Sequence, residues 1–246
     1  MKQDNSARSL FADSARAHAL MFDSPLAPVY DDKTGNRILV AFLGVGFGLF
    51  IALFIALRFL SGAAGVRGMP AVNLAFVGFL MTAFVVTQGA YVRAPMAAIG
   101  LCRFSAWSRR ERLYFFQVIP AATIAFAIVF AGHLRTLLAL HGPGGFLLFS
   151  VVTGLIWGMV QEFIYHGWLQ TELTRRFGAI AGLLIANVLF TFGPLHLNYL
   201  ISPNGVQWSG LAAVFGIGLY FCIIYWRSGN LWIPALMHGM WPPNMN

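Results

Sequence analysis

The stretch Ile38–Leu57, ILVAFLGVGFGLFIALFIAL, is twenty residues long and contains no charge. At 1.5 Å per residue it makes a helix of about 30 Å, the thickness of the hydrocarbon core of a bilayer. The rest of the chain extends the pattern. Of its 246 residues, 59% are hydrophobic and 10% charged, whereas soluble domains average about 25% charged. So few charges cannot cover a water-soluble fold of this length. Hydrophobic segments recur at about 38–57, 70–92, 113–132, 146–170, 178–198, 208–226 and 231–242. None alternates polar and apolar residues as a barrel strand would, and a backbone in lipid must satisfy its own hydrogen bonds, so each segment reads as a helix. The expected fold is all-α, a multi-pass transmembrane bundle of about seven helices whose last segment is short enough to be a partial span.

Two regions follow from this. Residues 1–36 form a polar segment with Phe11, Ala15, Ala19 and Phe22 at roughly helical spacing, the pattern of an interfacial helix or of a loose tail. Residues 37–246 form the membrane domain. No signal-peptide pattern precedes it, because the first apolar stretch begins too far into the chain and is long enough to span.

The net charge of +8 would suggest nucleic acid in a soluble protein, but its distribution has a better explanation. If the segments alternate, one side receives Lys2, Arg8, Arg16, Lys33 and Arg37, then Arg93, Arg103, Arg109, Arg110 and Arg112, then Arg175, Arg176 and Arg227. The other side receives only Arg58, Arg67 and Arg135. A bias of that size places the N-terminus in the cytoplasm, and the expected location is the inner (cytoplasmic) membrane of the cell. The two cysteines, Cys102 in a basic loop and Cys222 in a span, are not expected to pair and have no metal-type spacing. No internal repeat, P-loop or nucleotide fingerprint is present.

An ionisable side chain in a span costs roughly 2.5–3.5 kcal/mol, so each one needs a reason. Glu162 is the single carboxylate within any of the seven segments, and the imidazoles near spans are His166, His196 and His238. Glu162 and His166 are one helical turn apart on the same face. Taken singly, these residues have bland readings: a headgroup-level pair, a histidine held beside a proline, and a lone structural histidine. Together they are one carboxylate and three imidazoles from three helices, nearly the whole ionisable inventory of the bundle. A carboxylate can take a proton from water, and an imidazole can stabilise an oxyanion or return a proton to a leaving amine. The same set also suits a zinc sphere.

Three stretches carry a family resemblance. QEFIYHG (161–167) resembles the first motif, EExxxR, of the CPBP family of CAAX proteases and bacteriocin-processing enzymes, also called the Abi family. FGPLH (192–196) is similar to its second motif, FxxxH, and RSGNLWIPALMHGMW (227–241) to its third region, where a histidine is followed four residues later by asparagine. The stretches occur in family order within residues 146–246. The resemblance implies a glutamate-type intramembrane endopeptidase that needs no cofactor. It marks Gln161 and Glu162 as the base position, His196 as the partner in activating water, and His238 as the third site residue near the oxyanion, with His166, Phe192 and Asn244 in support. It also implies a peptide or protein substrate with a hydrophobic or lipid-modified segment, and no nucleic acid.

Three positions depart from the motifs. Gln161 stands where the first glutamate is expected, His166 where arginine is expected, and Pro242 four residues after His238, with Asn244 two further on. Either Glu162 serves as the base, or Gln161 marks an inactivated enzyme, or the chain is a non-catalytic scaffold or regulator. A zinc-dependent hydrolase using Glu162, His166, His196 and His238 stands beside these readings. Residues 161 and 162 lie about 100° apart around a helix and cannot both point straight at one site. A shared site requires one of them within about 3–5 Å of His196 or His238. The segment ends oppose this, placing Glu162 in the cytoplasmic half of its span and His196 towards the other face.

Overall fold

The computed structural model describes residues 30–53, 55–56, 70–202 and 204–240, and every regular element among them is helical. Among the described residues six helices are long and apolar enough to cross a membrane: α1 (Asp32–Leu53), α2 (Pro70–Val92), α3 (Arg109–Ile128), α4 (Ala131–Phe177), α5 (Ala179–Leu200) and α6 (Trp208–Ser228). The chain is a multi-pass membrane protein. The seventh helix, α7 (Trp232–Gly239), has eight residues and a length of about 12 Å, too short to cross. It packs inside the bundle instead, with Ile233, Pro234, Ala235 and Gly239 buried. The helical spacing at Phe11–Phe22, Pro242 and Asn244 lie outside the described residues.

The outer surface follows lipid logic. Ile128, Leu140 and Ile180 are each more than 70% exposed, which water would penalise and hydrocarbon does not. Inside, Trp168 is fully buried, stacks on Phe84 at 4.7 Å and donates to Gln88 Oε1 at 2.7 Å. Gln88 in turn donates to the Ala94 carbonyl at 2.8 Å, so that the Trp168–Gln88 bond fastens the end of α2 to α4.

The chain between α3 and the fourth apolar segment differs from expectation. Residues 133–145, the gap between the third and fourth hydrophobic segments, are helical from Ala131 onward. The helix breaks only at Gly142 (φ 67°, ψ 173°), just before Pro143, whose ring and missing N–H interrupt the ladder there. His133 and His141 therefore sit on the first part of α4.

The other end of α4 differs too. The charged run Glu172, Arg175 and Arg176 reads as the point where the segment leaves the membrane, near residue 170. Instead Glu172 is fully buried and accepts from Arg175 Nη2 at 2.8 Å, from Arg175 Nε at 2.9 Å and from Arg176 Nε. The same guanidinium groups reach across to α1, Arg175 to Asp32 Oδ1 at 2.7 Å and Arg176 to Asn36 Oδ1 at 2.6 Å. Gly35 makes this clamp possible, because a Cβ there would lie 2.3 Å from Glu172 Oε1.

With its charges paired, α4 continues to Phe177. Gly178 (φ 81°) then turns the chain directly into α5 at Ala179. Glu162 is sixteen residues before that turn and His196 eighteen after it, or about 24 and 27 Å along the two arms at helical rise. They stand at one level. The apparent conflict of depth arose from ending the fourth helix too early.

Two features bring α7 to that level. Gly229 (φ 61°) ends α6, and Asn230 accepts from Trp232 N at 3.1 Å while donating to Glu111 Oε1 at 3.1 Å, which anchors the turn to the start of α3. Then α7 crosses α4 with backbones in contact. A Cβ on Gly158 would lie 2.3 Å from the amide nitrogen of Gly239. Gly154 and Gly158 form the small-xxx-small spacing that lets membrane helices approach so closely.

Candidate active site

Position 162 is one helical turn beyond Gly158, and position 238 immediately precedes Gly239, so the backbone crossing juxtaposes Glu162 and His238. Glu162 Oε1 lies 2.7 Å from His238 Nδ1, across 76 residues of sequence. The other carboxylate oxygen, Oε2, lies 2.6 Å from Nδ1 of His166, an ion-pair contact rather than an aligned hydrogen bond. Glu162 and His166 are completely buried, and the His238 side chain is 17% exposed. A buried carboxylate needs donors: Oε1 has one in His238 Nδ1, and Oε2 has the close but unaligned Nδ1 of His166.

His196 enters by another route. Gly193 takes an extended conformation that ends the main part of α5, and Pro194–His196 form a tight turn. His196 Nδ1 lies 2.9 Å from the Phe190 carbonyl. Since a carbonyl only accepts, Nδ1 carries the hydrogen and Nε2 of the neutral ring keeps its lone pair. The Phe190 ring is the common wall of the site. Its centroid is 5.0 Å from His196, 5.9 Å from His166 and 6.0 Å from His238. The His238 ring also stacks on Phe221 at 5.2 Å.

The remaining marked residues divide. Gln161 is buried, its Oε1 has no hydrogen-bond partner among the described residues, and its neighbours one turn away face different surroundings. Trp157 packs on Phe50 and Phe76, while the Tyr165 hydroxyl reaches towards the Gly46 carbonyl at 3.4 Å. Phe192 is 44% exposed on the outside of α5, and the aromatic ring that lines the site is Phe190. Phe190, Phe221 and Cys222 were not marked by sequence. Two are ordinary members of apolar helices and the third is a cysteine without metal spacing, so no local signal separated them from core.

Among the described residues no group of three or more His, Cys, Asp and Glu side chains is placed to hold a metal ion. The reason is directional. His166 and His238 turn their Nδ1 atoms to the carboxylate, His166 turns Nε2 to the Cys222 thiol at 3.1 Å, and His196 spends Nδ1 on a carbonyl. The four-residue zinc sphere is therefore not assembled. What the arrangement offers is proton chemistry: a buried carboxylate orienting a partly accessible imidazole, as in the acid–base pairs of hydrolases.

Beside His238 an apolar groove of about 470 Å³ runs between α3, α6 and α7, lined by Ile119, Phe126, Tyr220, Phe221, Met237 and Met240 among others.

Residues 143–242 match a family model described as Rce1-like, type II CAAX prenyl endopeptidase Rce1-like. No curated protein and no solved structure matches the chain.

Proposed function

We propose, from the premise that residues 143–242 are a domain of the Rce1-like CAAX endopeptidase family, that this chain is an intramembrane endopeptidase acting through Glu162, His238 and His196. Its substrate is a peptide or protein with a hydrophobic or lipid-modified segment, such as a C-terminal tail. The observation that carries the reading is the 2.7 Å contact between Glu162 and His238, made between helices that share no local sequence.

With Glu162 ionised, His238 carries its hydrogen on Nδ1 and presents the Nε2 lone pair. A water held by Nε2 of His238 and Nε2 of His196 gives up a proton to His238 as its oxygen attacks the peptide carbonyl carbon. Glu162 stabilises the imidazolium that forms. Collapse of the tetrahedral intermediate breaks the C–N bond, and His238 returns the proton to the leaving amine. Gln161 takes no proton, because a neutral amide is not basic. The groove beside His238 suits a hydrophobic chain attached near the scissile bond. The site operates in the cytoplasmic (inner) membrane with the N-terminus in the cytoplasm, as the distribution of basic residues indicates.

Gln161 itself favours a second reading, a silenced relative. A neutral amide at the family's first glutamate position keeps the shape of the side chain and removes its basicity. One experiment separates the two. The purified chain, Glu162→Gln and Gln161→Glu are each given a membrane-embedded peptide substrate. Cleavage by the chain that is lost in Glu162→Gln supports the proposed enzyme. Cleavage by Gln161→Glu alone supports the silenced relative. No cleavage by any of the three overturns both in favour of a scaffold that binds a partner helix.

A further inference from the structure

The Glu162–His238 pair is the accessible end of a longer chain of polar groups. Behind Glu162 stands His166, and behind His166 stands Cys222 of α6, whose Sγ is 3.1 Å from His166 Nε2. Cys222 is a free cysteine and is completely buried. The four groups join α7, α4 and α6 through contacts of 2.7, 2.6 and 3.1 Å.

Hydrogen placement along such a chain is not independent at each step. A neutral imidazole carries one hydrogen. If the Cys222 thiol donates to Nε2 of His166, the ring hydrogen must be on Nδ1, where it faces Glu162 Oε2. That hydrogen sits beside Oε2, close though not aligned as a hydrogen bond, and favours the ionised carboxylate, which accepts from His238 Nδ1 through Oε1. The result is a bare Nε2 on His238, the atom that the proposed hydrolysis uses. If the thiol accepts instead, a neutral His166 presents a lone pair to a carboxylate 2.6 Å away, which is repulsive.

The thiol has one competing acceptor, the Leu183 carbonyl at 3.8 Å. The imidazole nitrogen is 0.7 Å nearer (3.8 against 3.1 Å), and Leu183 lies within α5, where its carbonyl also serves the helix ladder. Distance favours the imidazole.

We propose that Cys222 is a positioning residue: its S–H group locks His166 in the Nδ1–H tautomer, which sets a hydrogen beside Glu162 Oε2 and favours the ionised carboxylate that orients His238. Cys222 touches no substrate and forms no bond to one. The role of the tautomer in cleavage rests on the endopeptidase reading, whereas the tautomer itself does not.

The test is nuclear magnetic resonance of the full chain, labelled with ¹⁵N-histidine and held in detergent micelles, with His166 and His238 assigned by His166→Asn and His238→Asn. The wild-type chain is expected to show Nδ1–H for both rings. Cys222→Ala is expected to lose the single His166 tautomer, giving averaged or doubled ring-nitrogen signals, while Cys222→Ser, whose hydroxyl donates as well, restores it. Circular dichroism confirms that each variant is folded. A wild-type His166 that carries its hydrogen on Nε2 alone overturns the proposal without any variant, as does a folded Cys222→Ala with unchanged His166 and His238 signals. In the cleavage assay Cys222→Ala should lower kcat about tenfold at constant KM, with recovery in Cys222→Ser. If no version of the chain cleaves peptide, the endopeptidase reading falls and the tautomer result still decides the role of Cys222.

Discussion

Replacing Gly158 by alanine should uncouple Glu162 from His238. The added Cβ would lie 2.3 Å from the Gly239 nitrogen and 2.5 Å from its Cα, where ordinary contact begins at 3.4 Å. Both obstructing atoms are backbone, so α4 and α7 must part by about 1.1 Å at the crossing. The Glu162–His238 contact of 2.7 Å then opens to as much as about 3.8 Å, beyond the roughly 3.2 Å limit of a hydrogen bond. A bond to a charged group contributes about 1.5–3 kcal/mol. Total stability is a poor readout of that loss, because alanine in place of glycine inside a helix returns about 0.8–1 kcal/mol. The coupling energy is the better one. A double-mutant cycle of Glu162→Gln and His238→Ala, followed by unfolding in mixed detergent and SDS micelles, should give about 1.5–3 kcal/mol in the parent chain. The same cycle in the Gly158→Ala background should give less than about 0.5 kcal/mol. Cleavage, where measured, should fall about a hundredfold, as expected for a 1 Å misplacement. Equal coupling energies in the two backgrounds would refute the claim that the glycine crossing assembles the site.

Gly35→Ala should open the clamp between α1 and α4, since its Cβ would meet Glu172 Oε1 at 2.3 Å. The expected loss is about 1–3 kcal/mol of unfolding free energy, and a variant as stable as the parent would show that α1 is held by its apolar face alone. Purified protein should contain no stoichiometric zinc and chelators should leave cleavage unchanged; one tightly held zinc per chain, released by His196→Ala, would restore the metal-dependent alternative. A reporter fused before Met1 should behave as cytoplasmic and one inserted at the Gly142 break as external, and a cytoplasmic signal from Gly142 would invalidate the assignment of sides from basic residues.

Composition and run length are local properties, and they were enough for the architecture. A charge-free twenty-residue stretch such as Ile38–Leu57 has one stable arrangement in a bilayer, so helices and membrane followed without tertiary information. The cost of burying charge likewise restricted the candidate site to Glu162 and three histidines before any geometry was known. Pairing is different, because it depends on how helices distant in sequence cross. That Glu162 meets His238 follows from two glycines, Gly158 and Gly239, that let backbones touch, and glycine is common enough in membrane helices to carry no such message alone. That His196 shares their level follows from α4 continuing to Phe177, and hence from Glu172, Arg175 and Arg176 being paired with one another, Asp32 and Asn36 rather than with solvent. A charged run reads as a helix leaving the membrane until its partners are known. Cys222 had no sequence signal at all, since a thiol acquires a role only from the nitrogen placed beside it, and that nitrogen lies 56 residues earlier in the chain.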